Sequence, residues 1–222
     1  MKLHDQNERE ILIKELYKQP NPKSKLFNHF SITKPNEMHQ IDLLTLPNDS
    51  GFMYALCLID VASRFKAAVA LRSKNGVNVL NGLKLIYFMN HDLGLSKPEI
   101  INSDKGSEFT NRLFAEYLNN EEIKHKVNEP SFHLSFVENM NKQLAVRLFK
   151  YMDDVELRTG KQSKKWVDQM KIEIDDMNDT ESRSIGMKPR DAILLKSVEQ
   201  PENNFTFDGM QMKYEKGTRV RR

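Results

Sequence analysis

Residues 98–109 read PEIINSDKGSEF, and the reading of this stretch decides the fold. Ile100 and Ile101 sit in a short apolar run, the run ends on Asp104, and Gly106 and a helical pattern follow at once. A strand that passes directly into a helix is a β-to-α unit of an α/β sheet. Upstream, strands are expected over 39–46, 52–60 and 65–71. Turn residues at 48–51 and 62–64 separate them, which makes an antiparallel meander. A helix over 75–93 follows, with Val79, Leu80, Leu83, Ile86 and Tyr87 at mostly helical spacing and Gly94 closing it.

Downstream, the pattern predicts a helix over 107–120, with Phe109, Leu113, Phe114, Tyr117 and Leu118 on its apolar side. A strand over 122–127 and a loop over 128–135 come next. Further helices are expected from 136 to about 152, over 163–179 and over 188–196. The fold class is therefore α/β: a five-stranded mixed sheet, a three-strand antiparallel meander plus parallel strands, flanked by helices. The expected organisation is an N-terminal helix and extended linker over 1–37, a core over 38–197 and a tail over 198–222. The helix lies within 8–19, and 205–214 could form a hairpin around Asp208-Gly209.

The 222 residues suffice for one well-buried domain with appendages. A mean hydropathy of -0.63 and 29% charged residues describe an ordinary water-soluble chain. No apolar run approaches a membrane span, and the first residues do not read as a secretory start. The single cysteine, Cys57, excludes an internal disulfide framework and a Cys-x-x-Cys zinc site. It lies in an apolar strand and reads as a packing thiol. A net charge of +3 says little, but its distribution says more. Lys142, Arg147, Lys150, Arg158, Lys161, Lys164 and Lys165 make a basic ridge, either a solvated helix face or a surface for phosphates. An acidic patch follows, with Glu173, Asp175, Asp176, Asp179 and Glu181.

Three carboxylates carry the chemistry. Asp42 falls in the middle of the first strand; in a central strand both faces are apolar, so a carboxylate there must be paired, protonated or bound to a cation. Asp104 ends the fourth strand, where ligands of open α/β sheets collect. Gly106 is expected to take a left-handed or close-approach conformation there, and Ser107 to cap the helix. Glu138 opens a helix on which Val137, Met140, Leu144, Leu148 and Tyr151 form the buried stripe. Asn141, Lys142 and Ala145 share the face of Glu138. Oxygen ligands of this kind suit Mg²⁺ or Mn²⁺. Two such ions can serve an in-line phosphoryl displacement that needs no protein nucleophile. The histidines show no ligand spacing and read as surface or packing residues, with His39 and His133 as candidates to line the site.

These residues resemble the catalytic core of retroviral-type integrases, the DDE transferases with a ribonuclease H-like fold. The resemblance runs from about His39 to Lys196. It rests on Gln40-Ile-Asp-Leu43, Ile59-Asp-Val-Ala-Ser-Arg-Phe65, Ser103-Asp-Lys-Gly-Ser-Glu-Phe109, Val137-Glu-Asn-Met-Asn-Lys-Gln-Leu144 and Lys188-Pro-Arg-Asp-Ala192. The flavour is nearest to integrases of Maverick/Polinton-type elements and large DNA viruses, with retroviruses and LTR retrotransposons as second choice. It implies Asp42, Asp104 and Glu138 as the catalytic and metal-binding triad with two Mg²⁺ or Mn²⁺ ions. It implies DNA contacts at Lys142, joined by Asn141, Lys105 and Arg147.

The implied activity is phosphodiester hydrolysis at element ends, followed by 3′-hydroxyl strand transfer into target DNA. The implied partners are double-stranded DNA (element ends and target) and a second or further copy of the chain, with no membrane. The implied location is the nucleus, or a virion or intracellular replication site, not a secreted one. Alternatives are a ribonuclease H-like nuclease or resolvase without joining activity, and a domesticated, non-catalytic DNA-binding module. The chain departs from the retroviral pattern in having only 33 residues, 105–137, between the second Asp and the Glu. One cysteine cannot supply the family's His-His-Cys-Cys zinc module. Lys216–Val220 resembles the first strand of an SH3-like or chromo-like module left unfinished, as in a fragment or a trimmed protein.

Overall fold

The computed structural model describes residues 32–128 and 134–199, together with Gln6, Asn7, Glu10, Ile11 and Ile13. The extended linker before residue 32, the tail hairpin, His133 and most of the N-terminal helix lie outside the described residues. Five strands form the sheet: β1 (Met38–Asp49), β2 (Phe52–Asp60), β3 (Lys66–Leu71), β4 (Ile100–Ser103) and β5 (Lys124–Val127). Their order is β3-β2-β1-β4-β5, with β1 at the centre. β1 pairs antiparallel with β2 and β2 with β3, whereas β1–β4 and β4–β5 are parallel. This is the mixed sheet expected from the sequence.

The turns follow from local chemistry. Asn48 Oδ1 accepts from the Gly51 amide at 2.9 Å, and Ser50 and Gly51 take positive φ, so the meander's first turn closes tightly. Asp60 holds the second turn by accepting from both the amide and the hydroxyl of Ser63 at 2.6 Å.

Among the residues described from 32 onward, six helices flank the sheet: α1 (Gly76–Asn90), α2 (Ser107–Thr110), α3 (Arg112–Asn120), α4 (Ser135–Thr159), α5 (Val167–Asp179) and α6 (Pro189–Ala192). Side chains alternate across β1, which splits the core in two. Ile41 joins Leu56, Leu58, Val79, Leu83, Ile86, Phe114 and Leu118 on the α1/α3 side. Leu46, Ala55, Cys57 and Ile59 join Val137, Met140, Leu144, Leu148, Trp166 and Met170 on the α4/α5 side. Truncating any one of the Leu, Ile or Met side chains among these to Ala costs about 2–5 kcal/mol. Cys57 is buried as expected, and burial followed by the nearby Asp42 charge pushes its thiol far up.

Several boundaries depart from the sequence reading. The expected 107–120 helix is broken at Asn111, which is extended (φ −77, ψ 163) and caps α3 by accepting from the Phe114 amide at 3.0 Å. Asn favours this local bond over mid-helix geometry. Leu113, one residue past the expected register, faces solvent. The first long helix ends at Asn90 with a 3₁₀ turn over His91–Leu93, and Gly94 closes it with φ 94, as expected. α4 runs on to Thr159 because the first residue to accept left-handed geometry is Gly160 (φ 71). Met152 rather than Tyr151 is the fully buried end of its stripe, with Tyr151 packed at its edge. The last predicted helix is one short turn at Pro189–Ala192. At the base of the domain, the Val198 amide donates to the Thr33 carbonyl at 2.8 Å, joining the two ends of the main described region.

Candidate metal-dependent site

β1 carries three polar side chains, at 40, 42 and 49, toward the helices α4 and α5. Asp49 Oδ2 accepts from the amides of Trp166 (2.9 Å) and Val167 (3.1 Å), the start of α5. Its Oδ1 meets Lys165 Nζ at 3.0 Å. Gln40 Oε1 accepts from the amides of Phe136 and Val137, the start of α4, at 3.1 and 3.2 Å. One strand therefore satisfies the free amides of both helices on this face, neither of which has a side-chain cap at its own N-cap residue.

Between these anchors sits Asp42, half-buried and directly beside Cys57 of β2 in the register. Its Oδ1 accepts from the Leu43 amide at 2.8 Å and its Oδ2 from Asn141 Nδ2 at 2.9 Å. Burial pushes the Asp42 carboxyl up to about 6; the charges of Asp104 and Glu138 push the same way, against the bonds from Leu43 and Asn141. The charges of Asp104 and Glu138 thus both reach Asp42, although the three come from a strand centre, a strand end and a helix start.

Asp104 follows the last residue of β4 and is exposed. Its Oδ1 accepts from the Gly106 amide at 2.9 Å, folding the strand end into a turn. Gly106 has φ −55 and is itself the N-cap position of α2, so of the two conformations expected of it the left-handed one is not taken, and the expected Ser107 cap is corrected. Its lack of a side chain matters for space instead: a Cβ there would stand 2.8 Å from Glu108 Cδ and 3.0 Å from Asp104 Oδ1. Beneath Asp104, Ser103 Oγ lies 2.8 Å from His125 Nε2 and donates to the Asp104 carbonyl. His125 packs on Phe114, the packing role expected of it. Glu138 lies in the first turn of α4 and its Oε1 accepts from the Leu134 amide at 3.1 Å.

The donor set fits a hard divalent cation: it is all oxygen, and the Asp42 charge is disfavoured by its surroundings until a cation offsets them. Among the described residues, no three His, Cys, Asp or Glu side chains are gathered closely enough to hold a metal ion as they stand.

The expected DNA contacts fall into two groups. Lys105 is exposed beside Asp104, and Lys142 is exposed one turn beyond Glu138. Lys142 lines a groove of about 790 Å³ with Asn139, Gln143, Arg147, Lys150 and Tyr151. Asn141 does not face solvent; it is buried and holds Asp42. Arg147 is engaged by Glu173 at 3.1 Å and Asp176 at 2.6 Å, tying α4 to α5. Much of the acidic patch is similarly spent on pairing, since Asp175 and Asp179 meet Arg190. His39 lies on the opposite face from Asp42, between Tyr87 (3.1 Å) and Asp60 (3.4 Å), so it does not line the site. Gln40 stood inside a quoted motif, but nothing in its spelling announced that it would accept from a helix 96 positions away.

Comparison with known proteins agrees with the fold. Residues 32–131 match the integrase core domain family. A transposon-derived protein of Caenorhabditis elegans is 28% identical over 176 residues, covering 78% of this chain and 56% of that protein. The Pro-Pol polyprotein of feline foamy virus is 30% identical over 102 residues, covering 44% of this chain and 8% of the polyprotein. The chain thus spans about half the length of the first relative and a small part of the second. In structure, the HTLV-2 integrase catalytic core domain, solved with magnesium in trimeric and dimeric forms, matches with TM-scores of 0.57 and 0.58. Identity is 18% and 19%, and each match covers 72% of this chain and 97% of the other. Residues 32–131 are therefore similar to the integrase core domain family, and the fold of the described residues is similar to that of a retroviral integrase catalytic core.

Proposed function

We propose that this chain is a DNA integrase or transposase core, a polynucleotidyl transferase whose site is Asp42, Asp104 and Glu138 within a unit spanning 38–197. The observation that carries the reading is that Asp104 and Glu138 lie near enough for both their charges to bear on Asp42, on a family-matched sheet. Asp42, Asp104 and Glu138 would hold two Mg²⁺ or Mn²⁺ ions. When bound, such ions activate an attacking oxygen and stabilise the leaving oxygen of an in-line displacement. The chain's own residues do the positioning. Asn141 fixes the Asp42 carboxylate through one oxygen, and the Leu43 amide fixes the other. The Gly106 amide orients Asp104. Lys142 and Lys105 offer exposed ammonium groups to the phosphates on either side.

The reaction is hydrolysis of a phosphodiester near an element end: a P–O bond to water forms, the 3′ P–O bond breaks, and a 3′-hydroxyl is released. That hydroxyl then displaces a 3′ oxygen in target DNA, exchanging one phosphodiester for another. Double-stranded DNA and further copies of the chain are the partners in this reading. It would act where element DNA resides, in the nucleus, a virion or an intracellular replication site.

Purified protein is incubated with Mg²⁺ or Mn²⁺ and labelled element-end DNA, then with a preprocessed 3′-end and plasmid target. Joined product supports the proposal. Nicking without joining points to a nuclease or resolvase, and binding without cleavage to a non-catalytic module; either overturns it.

A further inference from the structure

The N-terminus of α4 is the most delicate part of the site, because the helix that supplies Glu138 begins there. Its first turn presents amides with no partner inside the helix, and its N-cap residue, Leu134, offers no side-chain acceptor. The region is dry: Leu134 and Val137 are buried, and Gln40 is 1% exposed. Unsatisfied amides in such a place cost about 1–3 kcal/mol each, so some acceptor must serve them. Two side chains serve the helix start, each on different amides. Gln40 takes the amides of Phe136 and Val137, and Glu138 already reaches back to the amide of Leu134.

We infer that Gln40 is a positioning residue for Glu138. By occupying two of the helix's free donors from the strand that carries Asp42, it keeps the Glu138 carboxylate from being drawn further onto its own helix end. It also fixes the register of α4 against β1. Gln40 and Asp42 are two residues apart on one strand and project to the same face, so the lock on the helix stands next to the carboxylate that Glu138 must meet. This inference rests on the proposed function, because it assigns Gln40 a part in the same metal-dependent site.

The test compares the full chain with Gln40→Met, which keeps the volume and loses the acceptor, and Gln40→Glu, which keeps the acceptor. The readouts are Mn²⁺ affinity by electron paramagnetic resonance, turnover and KM on element-end DNA, and thermal stability. Gln40→Met is expected to weaken Mn²⁺ binding and lower kcat by about 10–100-fold, as loss of a group orienting a ligand does, with KM for DNA unchanged. Gln40→Glu is expected to recover most of that loss. A purely structural cap would lower stability and leave Mn²⁺ affinity and kcat in place; that result overturns the inference. So does a Gln40→Glu protein no better than Gln40→Met. Should Gln40→Met not fold, Gln40→Asn replaces it, since its shorter amide cannot reach both donors, and the same outcomes decide. A wild-type chain that neither binds Mn²⁺ nor cuts DNA overturns this inference together with the function beneath it. An active wild type with indifferent variants overturns this inference alone.

Discussion

Asn141 Nδ2 donates to Asp42 Oδ2 at 2.9 Å, joining helix and strand across 99 positions of the chain. The bond makes the orientation of Asp42 depend on the helix that carries Glu138, so two of the three site carboxylates move as one unit. Replacing Asn141 with Ala is expected to lower turnover about 10–100-fold, the usual effect of removing a group that orients a ligand. Initial rates at saturating DNA check it, and unchanged rates would show that Asp42 is held by Leu43 alone.

Asp104→Asn should abolish nicking and joining while leaving the fold intact. The new amide can still accept from Gly106 through its carbonyl oxygen, and the side chain is exposed, so little stability is at stake. The loss expected is about 10³-fold or more, corresponding to several kcal/mol of charge stabilisation. An Asp104→Asn protein with wild-type activity would remove Asp104 from the site.

Asp42→Asn should also be inactive, but more stable than wild type without metal at neutral pH. The folded Asp42 carboxyl sits at about 6, above its ordinary value of 3.8, because burial and the neighbouring carboxylates disfavour its charge. The folded state therefore holds its proton more tightly, and stability falls as pH rises from about 4 through about 6. Removing the charge should restore on the order of 1–2 kcal/mol at pH 7, or a Tm gain of a few degrees. The gain should shrink as pH drops toward 4. Chelator-treated thermal melts across that range are the measurement.

Asp49 has the opposite sign. Burial pulls its carboxyl up, but the bonds from Val167, Lys165, Trp166 and Ser50 more than offset it and hold the group below its usual value. Its stabilisation is present above the ordinary carboxylate range and is lost as pH falls through the lowered value. Asp49→Ala removes the surrogate cap of α5 and should cost about 1–2 kcal/mol at pH 7. Denaturant unfolding at pH 7 should show the full loss, with the difference narrowing in acid.

Lys66 is buried on β3 with its ammonium donating only to the Arg64 carbonyl at 3.0 Å. Burial, then the charges of Arg64 and Arg147, bring it down to about 8. The folded state gives up this proton more readily than the unfolded chain, so stability rises as pH climbs from about 8 toward 10.5. Lys66→Met should stabilise the protein by about 1–3 kcal/mol at pH 7, and the advantage should fade above pH 8. Equal stability of the two proteins at pH 7 would mean that the buried charge is compensated.

Much of this protein is legible in its sequence. The alternation and turns of 39–71, the strand-to-helix passage at Asp104 and the stripe from Val137 to Leu148 dictate the sheet and the helix carrying Glu138. These are local periodicities, and the chain records them directly. The carboxylates at 42, 104 and 138 were legible as candidates, charges placed where an α/β sheet puts its ligands. What the sequence could not say is which polar groups meet across the fold. Asn141 read as a solvated neighbour of Lys142, Arg147 as a phosphate contact and His39 as a possible site residue. Only the tertiary structure turned Asn141 onto Asp42, paired Arg147 with α5, sent His39 to the far side of β1 and brought Gln40 under the start of α4. Hydrogen bonds between residues 29 to 99 positions apart depend on strand order and helix register, which no local pattern encodes.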